Sequence, residues 1–126
     1  MTNLSPPAEA ILGIVTANGT GTSFVEIEQA LSAAGFDPAG ELGIEHPECA
    51  NLFIWAGVNA MFTAALNELL GAHLVHYRPT SVLVYLADGK LLQMPPAVRP
   101  PKNGYREPHW VPAVINLGPV PTGGVE

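Results

Sequence analysis

Few residues in this 126-residue chain combine the types and spacing that chemistry needs. His46 and Cys49 stand in an H-x-x-C spacing of the kind zinc sites use. A zinc ion held by protein takes about four ligands in a satisfied geometry. His73, His76 and His109 would have to complete the set, and His73 and His76 straddle a short strand-like run at odd spacing, so their side chains point to opposite faces. Cys49 with a histidine makes a nucleophile pair on paper, but a single cysteine in a loop reads as inert. Gly19-Thr20-Gly21 precedes a helix start, where an anion could bind. It lacks both the Walker lysine and the full dinucleotide fingerprint, so it reads as a turn. Glu26 and Glu28 belong to the solvent-facing side of a capped helix. No catalytic set, metal site or cofactor site follows from these residues, and the expectation is a protein that is not an enzyme.

Charge is the more informative pattern. The first seventy residues contain no lysine or arginine but carry Glu9, Glu26, Glu28, Asp37, Glu41, Glu45, Glu48 and Glu68. All five cations, Arg78, Lys90, Arg99, Lys102 and Arg106, fall between positions 78 and 106. The net charge is −6. Non-specific affinity of the whole chain for nucleic acid is therefore not expected. Charged residues make up 13 % of the chain, against about 25 % in an ordinary globular protein. Apolar residues make up 48 %, enough for a core, with apolar surface left for a partner or a second copy. Cys49 is the only cysteine and no secretory signal is legible, so a reducing cytoplasm is the expected setting. The most apolar stretch, Leu52 to Leu70, is interrupted by Asn59, Thr63, Asn67 and Glu68 and reads as a core helix rather than a membrane span.

These residues must be positioned by a small set of elements. Ser5-Pro6-Pro7 starts a helix that carries Ala8, Ile11, Leu12 and Val15 and stops at Asn18-Gly19. Ser23 and Glu26 fit a capping box for a second helix that ends near Gly35. Residues 36–50 follow no period and are expected to form a long loop. Asn51 is expected to cap the longest helix, running to about Leu70. Leu74 to Tyr77 reads as a short strand. Val82 to Leu86 and Lys90 to Met94 read as a hairpin turned by Asp88-Gly89. Eight of the thirteen prolines lie between 95 and 126, so the end of the chain is expected to hold neither long helices nor central strands. Its Tyr105, Trp110, Val111, Val114, Ile115 and Leu117 imply that part of it docks on the domain or on a neighbouring copy, while Pro119 to Glu126 is expected to be mobile.

The Ser23–Ala34 helix, the Asn51–Leu70 helix and the Val82–Leu86, Asp88-Gly89, Lys90–Met94 wing resemble a winged helix-turn-helix domain in element order and apolar pattern. The expected fold class is therefore α+β, with three main helices and a small antiparallel hairpin or three-stranded sheet. A winged-helix-like domain would span 5–95, followed by a proline-rich tail over 96–126. In that family the third helix usually enters the major groove while the hairpin meets the backbone. Here the segment between the second and third helices is longer than the motif's usual turn, and the third helix offers no cation.

The resemblance places DNA contacts at Asn51, Asn59 and Thr63 on the helix and at Lys90 on the wing tip, supported by Arg99, Lys102 and Arg106 among Tyr105 and Trp110. The alternative for these cations is solvation, or pairing with the acidic first half of the same or another subunit. Trp55 and Trp110 read either as anchors for a partner or as core residues. The favoured function is a non-catalytic regulatory module that acts through protein–protein contacts, with a homodimer as one form. A DNA-binding transcriptional regulator is the runner-up. An acidic decoy occupying a basic site on a partner is the third reading.

Overall fold

In the computed structural model, residues 4–46, 49–97 and 104–120 are described. The chain is an α+β protein. Helix α1 (Pro6–Asn18) starts where Ser5 Oγ accepts the Ala8 N–H at 3.3 Å, with prolines in the first turn whose missing N–H groups would have had no helical partner. It stops at Gly19, whose φ of 78° suits glycine. Helix α2 (Phe24–Ala33) opens with a reciprocal capping box. Ser23 Oγ accepts the Glu26 N–H at 3.2 Å and Glu26 returns to the Ser23 N–H at 3.1 Å.

The next segment departs from the expected loop. Residues Ala39–Glu45 form strand β1, and Leu52–Val58 form strand β2, antiparallel to it. The glycines and glutamates of β1 have weak strand preference, and its side chains are mostly exposed. The ladder to β2 makes the strand, so no local pattern announces it. The long helix expected from Asn51 is likewise two elements. Leu52–Val58 pairs as a strand with β-branched Ile54 and Val58 and aromatic Phe53 and Trp55 along it, Gly57 takes a φ of 80° that interrupts any helix, and Asn59 begins a new one. Asn59 Oδ1 accepts the Phe62 N–H at 3.0 Å, capping helix α3 (Ala60–Gly71). Asn51 is not a cap but a left-handed residue at φ 60°.

Strand β3 (Val75–Pro79) follows. The expected hairpin over 82–94 does not form. Val82–Asp88 is helix α4, because Ser81 Oγ accepts the Leu83 N–H at 3.1 Å and Gly89 supplies the left-handed C-terminal residue at φ 82°. Asp88-Gly89 is a helix stop rather than a hairpin turn. Beyond residue 95 the chain supplies two further strands, β4 (His109–Trp110) and β5 (Ala113–Leu117). The core thus extends past the expected boundary at 95.

One sheet has the order β1-β2-β4, with β4 parallel to β2. The other is the antiparallel pair β3-β5, in which Tyr77 lies opposite Ile115. On its second edge, Ile115 pairs with Thr22: Thr22 N donates to Ile115 O at 3.1 Å and Ile115 N donates to Thr22 O at 2.8 Å. Thr22 stands between α1 and α2, so the end of the chain is tied to its beginning. Helices α1, α2 and α3 enclose Ile11, Val15, Phe24, Leu31, Phe62 and Leu69, all fully buried. No described helix is long and apolar enough to cross a membrane.

Candidate interaction surface

Among the described residues, those with metal-like or nucleophile-like spacing do not assemble into a site. Cys49 is buried, with Sγ 3.9 Å from Ala50 O, and its N–H donates to His46 O across a turn. Among the described residues, no group of His, Cys, Asp and Glu has the arrangement to hold a metal ion. His76 lies on β3 with Nδ1 2.9 Å from Gly118 O. His109 stacks on Tyr105 instead, with ring centroids 3.8 Å apart.

The two tryptophans are core residues rather than exposed anchors. Trp55 and Trp110 belong to a cluster with Phe24 and Tyr85, and Trp55 stacks on Phe24 at 5.6 Å and on Tyr85 at 5.0 Å. Strand β2 is covered on both faces at this point: the adjacent Ile54 and Trp55 point to opposite sides and both are buried. The Trp55 indole N–H donates to Glu28 Oε2 at 2.8 Å, and the Trp110 indole N–H donates to Ile54 O at 3.2 Å, so neither polar edge is stranded.

Lys90 is not at a wing tip. It follows α4, and its Nζ lies 2.7 Å from Glu28 Oε1 and 5.4 Å from the centre of the Trp55 ring. Glu28, expected to face solvent, therefore joins α2 to β2 and to the segment after α4. Its partners lie 27 and 62 residues away along the chain, and no local pattern signals them. Half of the Lys90 side chain remains exposed, so the pair itself contributes little, on the order of 0–1 kcal/mol.

The expected base-reading residues are occupied by the fold. Asn51 Nδ2 donates to Tyr105 O at 2.8 Å while the Tyr105 N–H donates to Ala50 O at 2.9 Å, fastening the late chain to the start of β2. Asn59 caps α3 and donates to Asp37 O at 2.6 Å. Thr63 turns its hydroxyl back to Ala60 O at 3.0 Å. Arg106 is exposed beside this junction, whereas Arg99 and Lys102 lie outside the described residues.

The surface that sequence reasoning missed is the outer side of α4. Leu83 is 66 % exposed, Leu86 55 % and nearby Leu91 44 %. The opposite side of the same helix buries Tyr85, whose hydroxyl donates to Ala113 O at 2.5 Å and accepts the Phe24 N–H at 3.1 Å. Burial pushes the Tyr85 hydroxyl pKa well above its usual value, with smaller contributions from Asp88, Glu26 and Glu28, while the Phe24 N–H opposes the shift. Ser81 and Gly89 were the available sequence signals for this helix. They bracket one short helix as readily as the hairpin their neighbours suggested.

A shallow cleft of about 490 Å³ lies between α2 and β1, lined by Glu28, Gln29, Ser32 and Asp37 among others. Glu28 already accepts bonds from Trp55 and Lys90, and Asp37 Oδ1 accepts the Ala39 N–H at 3.0 Å. Two of the cleft's polar groups, Glu28 and Asp37, are thus engaged in holding the fold. No protein-family model matches the chain, nor does any curated protein or any solved structure.

Proposed function

We propose that this chain is a non-catalytic winged-helix-like module that works through contacts with another polypeptide. Three helices, α1, α2 and α3, and an antiparallel pair, β3 and β5, support the winged-helix reading, with β1 and β2 set between α2 and α3 and α4 and β4 between the strands of the pair. The observation that carries the functional reading is the outer side of α4. Where the resemblance calls for a cationic wing, the chain between β3 and β5 presents Leu83, Leu86 and Leu91 to solvent. Exposed leucines grouped this way favour an apolar partner surface. Helix α3, the element that would enter a DNA groove, carries no lysine or arginine along Ala60–Gly71, and Lys90 is held on Glu28. Both features weigh against phosphate neutralisation.

Sedimentation velocity combined with a salt-titrated gel shift tests the reading. The expected result is a self-associated or partner-bound species, with no retention of duplex DNA at low salt. A strict monomer that shifts DNA with a steep salt dependence would reverse the assignment in favour of a DNA-binding regulator.

A further inference from the structure

The segment from Ser81 to Met94 is anchored at both ends but lightly held between them. At its start, Thr80 N donates to Pro112 O at 2.8 Å, and just past its end, Ala97 N donates to Trp110 O at 2.8 Å. Helix α4 has seven residues, too few to be stable alone. Tyr85 is its one fully buried residue, Val82 and Val84 pack half-buried against the core as do Leu92 and Met94 after the helix, and Leu83 and Leu86 face solvent. Three polar ties fasten the segment to the start of α2. The Phe24 N–H donates to Tyr85 Oη, Ser23 Oγ donates to Asp88 Oδ2 at 2.6 Å and Lys90 Nζ donates to Glu28 Oε1 at 2.7 Å, and the Tyr85 hydroxyl adds one bond to Ala113 O on β5. The pair β3 and β5, by contrast, is laddered along its length and continued by Thr22.

We infer that Ser81–Met94 is a flap over the Trp55 ring that opens as a unit while the three large helices and the β3–β5 pair stay folded, and that the Lys90–Glu28 clasp sets how often it opens. Local openings of this kind arise where few buried apolar contacts hold an element. Opening would lift Tyr85 from the aromatic cluster, uncover Trp55 and release the Lys90 ammonium to solvent. The inference concerns motion alone and stands whether or not the chain works through protein contacts.

Native-state hydrogen exchange at low denaturant on the full chain tests it. The reporters are the amides of Gly89 and Lys90, both bonded to Tyr85 O, and of Val84, bonded to Ser81 O, set against Ile115, bonded to Thr22 O. The three flap amides should share one opening free energy below that of Ile115. In Lys90→Met, which removes the charge and keeps an unbranched side chain, their exchange should quicken by about 3–10-fold with Ile115 unchanged, the scale of a surface ion pair plus a cation–π contact. Lys90→Arg should return most of the protection. Equal protection of flap and Ile115 amides in the native chain would overturn the inference. So would three unequal values, the mark of fraying, or equal acceleration of flap and Ile115 amides in Lys90→Met.

Discussion

Glu28 and Trp55, on α2 and β2, are joined by one hydrogen bond of 2.8 Å from the indole N–H to Oε2, and Trp55 is fully buried. Among the described residues, Glu28 is thus the acceptor for a donor on a side chain that water does not reach. Glu28→Ala should therefore cost about 1–3 kcal/mol, the range for leaving a buried donor unsatisfied, whereas Glu28→Gln keeps an acceptor and should cost less. Urea denaturation of the two variants checks the order. Equal losses would mean that the charge on Glu28, through Lys90, outweighs its role as acceptor.

Alkaline pH should loosen the same region. Burial pushes the Tyr77 hydroxyl from 10.0 up to about 12 and moves Tyr85 further in the same direction. The unfolded chain releases these protons near pH 10 while the folded chain holds them. Stability from both groups is complete below pH 10 and is lost as pH rises, toward about 12 for Tyr77 and further for Tyr85. Phenolate absorbance, assigned by difference against Tyr77→Phe and Tyr85→Phe, should appear together with loss of far-UV dichroism. Phenolates forming near pH 10 in a chain with intact dichroism would contradict this.

What was legible in the sequence follows from the range of the interactions involved. The starts of α1 and α2 could be read because Ser5 and Ser23 act on N–H groups three residues away. The sheet β1-β2-β4 could not: β4 joins β2 from far along the chain, and β1, though next to β2 in sequence, carries glycines and glutamates of weak strand preference. Leu52 to Val58 is apolar enough to pass for helix, and only the ladder to β1 and the positive φ of Gly57 decide otherwise. The α+β class was legible and the hairpin over 82–94 was not, since Asp88-Gly89 serves a helix end and a two-residue turn equally well. Lys90 stands out in the sequence by its charge, yet its partner Glu28 lies 62 residues earlier.

Gly40 shows the same point and yields a sharp prediction. In the sequence it reads as a turn marker. In the fold it lies in β1, where a Cβ would meet Val58 O at 2.5 Å and Asn59 Cα at 2.7 Å. Both are backbone atoms at the junction of β2 and α3, so the clash has no flexible end to yield. Gly40→Ala should cost about 1–3 kcal/mol, as overpacking of a closed site does. Gly13→Ala, at a helical glycine with open space around it, should be neutral or stabilising by up to about 1 kcal/mol. Thermal unfolding of the pair measures both, and similar melting temperatures would remove the close approach of β1 to Val58 as a constraint.

The leucines on the outer side of α4 separate function from stability. Leu83 and Leu86 are exposed, whereas Tyr85 between them is buried. Replacing an exposed leucine with a polar residue removes little packing, so Leu83→Ser with Leu86→Ser should change folding stability by no more than about 0.5 kcal/mol per site. The helix start remains capped by Ser81 and its end by Gly89, so α4 should persist. If the module works through this surface, the double variant should sediment as a smaller species than the native chain or lose its co-purifying partner, with an unchanged melting temperature. Tyr85→Phe offers the contrast. It removes the buried bonds to Ala113 and Phe24, should lower stability by about 1–3 kcal/mol, and leaves both leucines in place. Loss of association in the leucine variant alone assigns it to the surface of α4. Loss in both would trace it to the stability of the helix, and loss in neither would send the search for the contact elsewhere on the molecule.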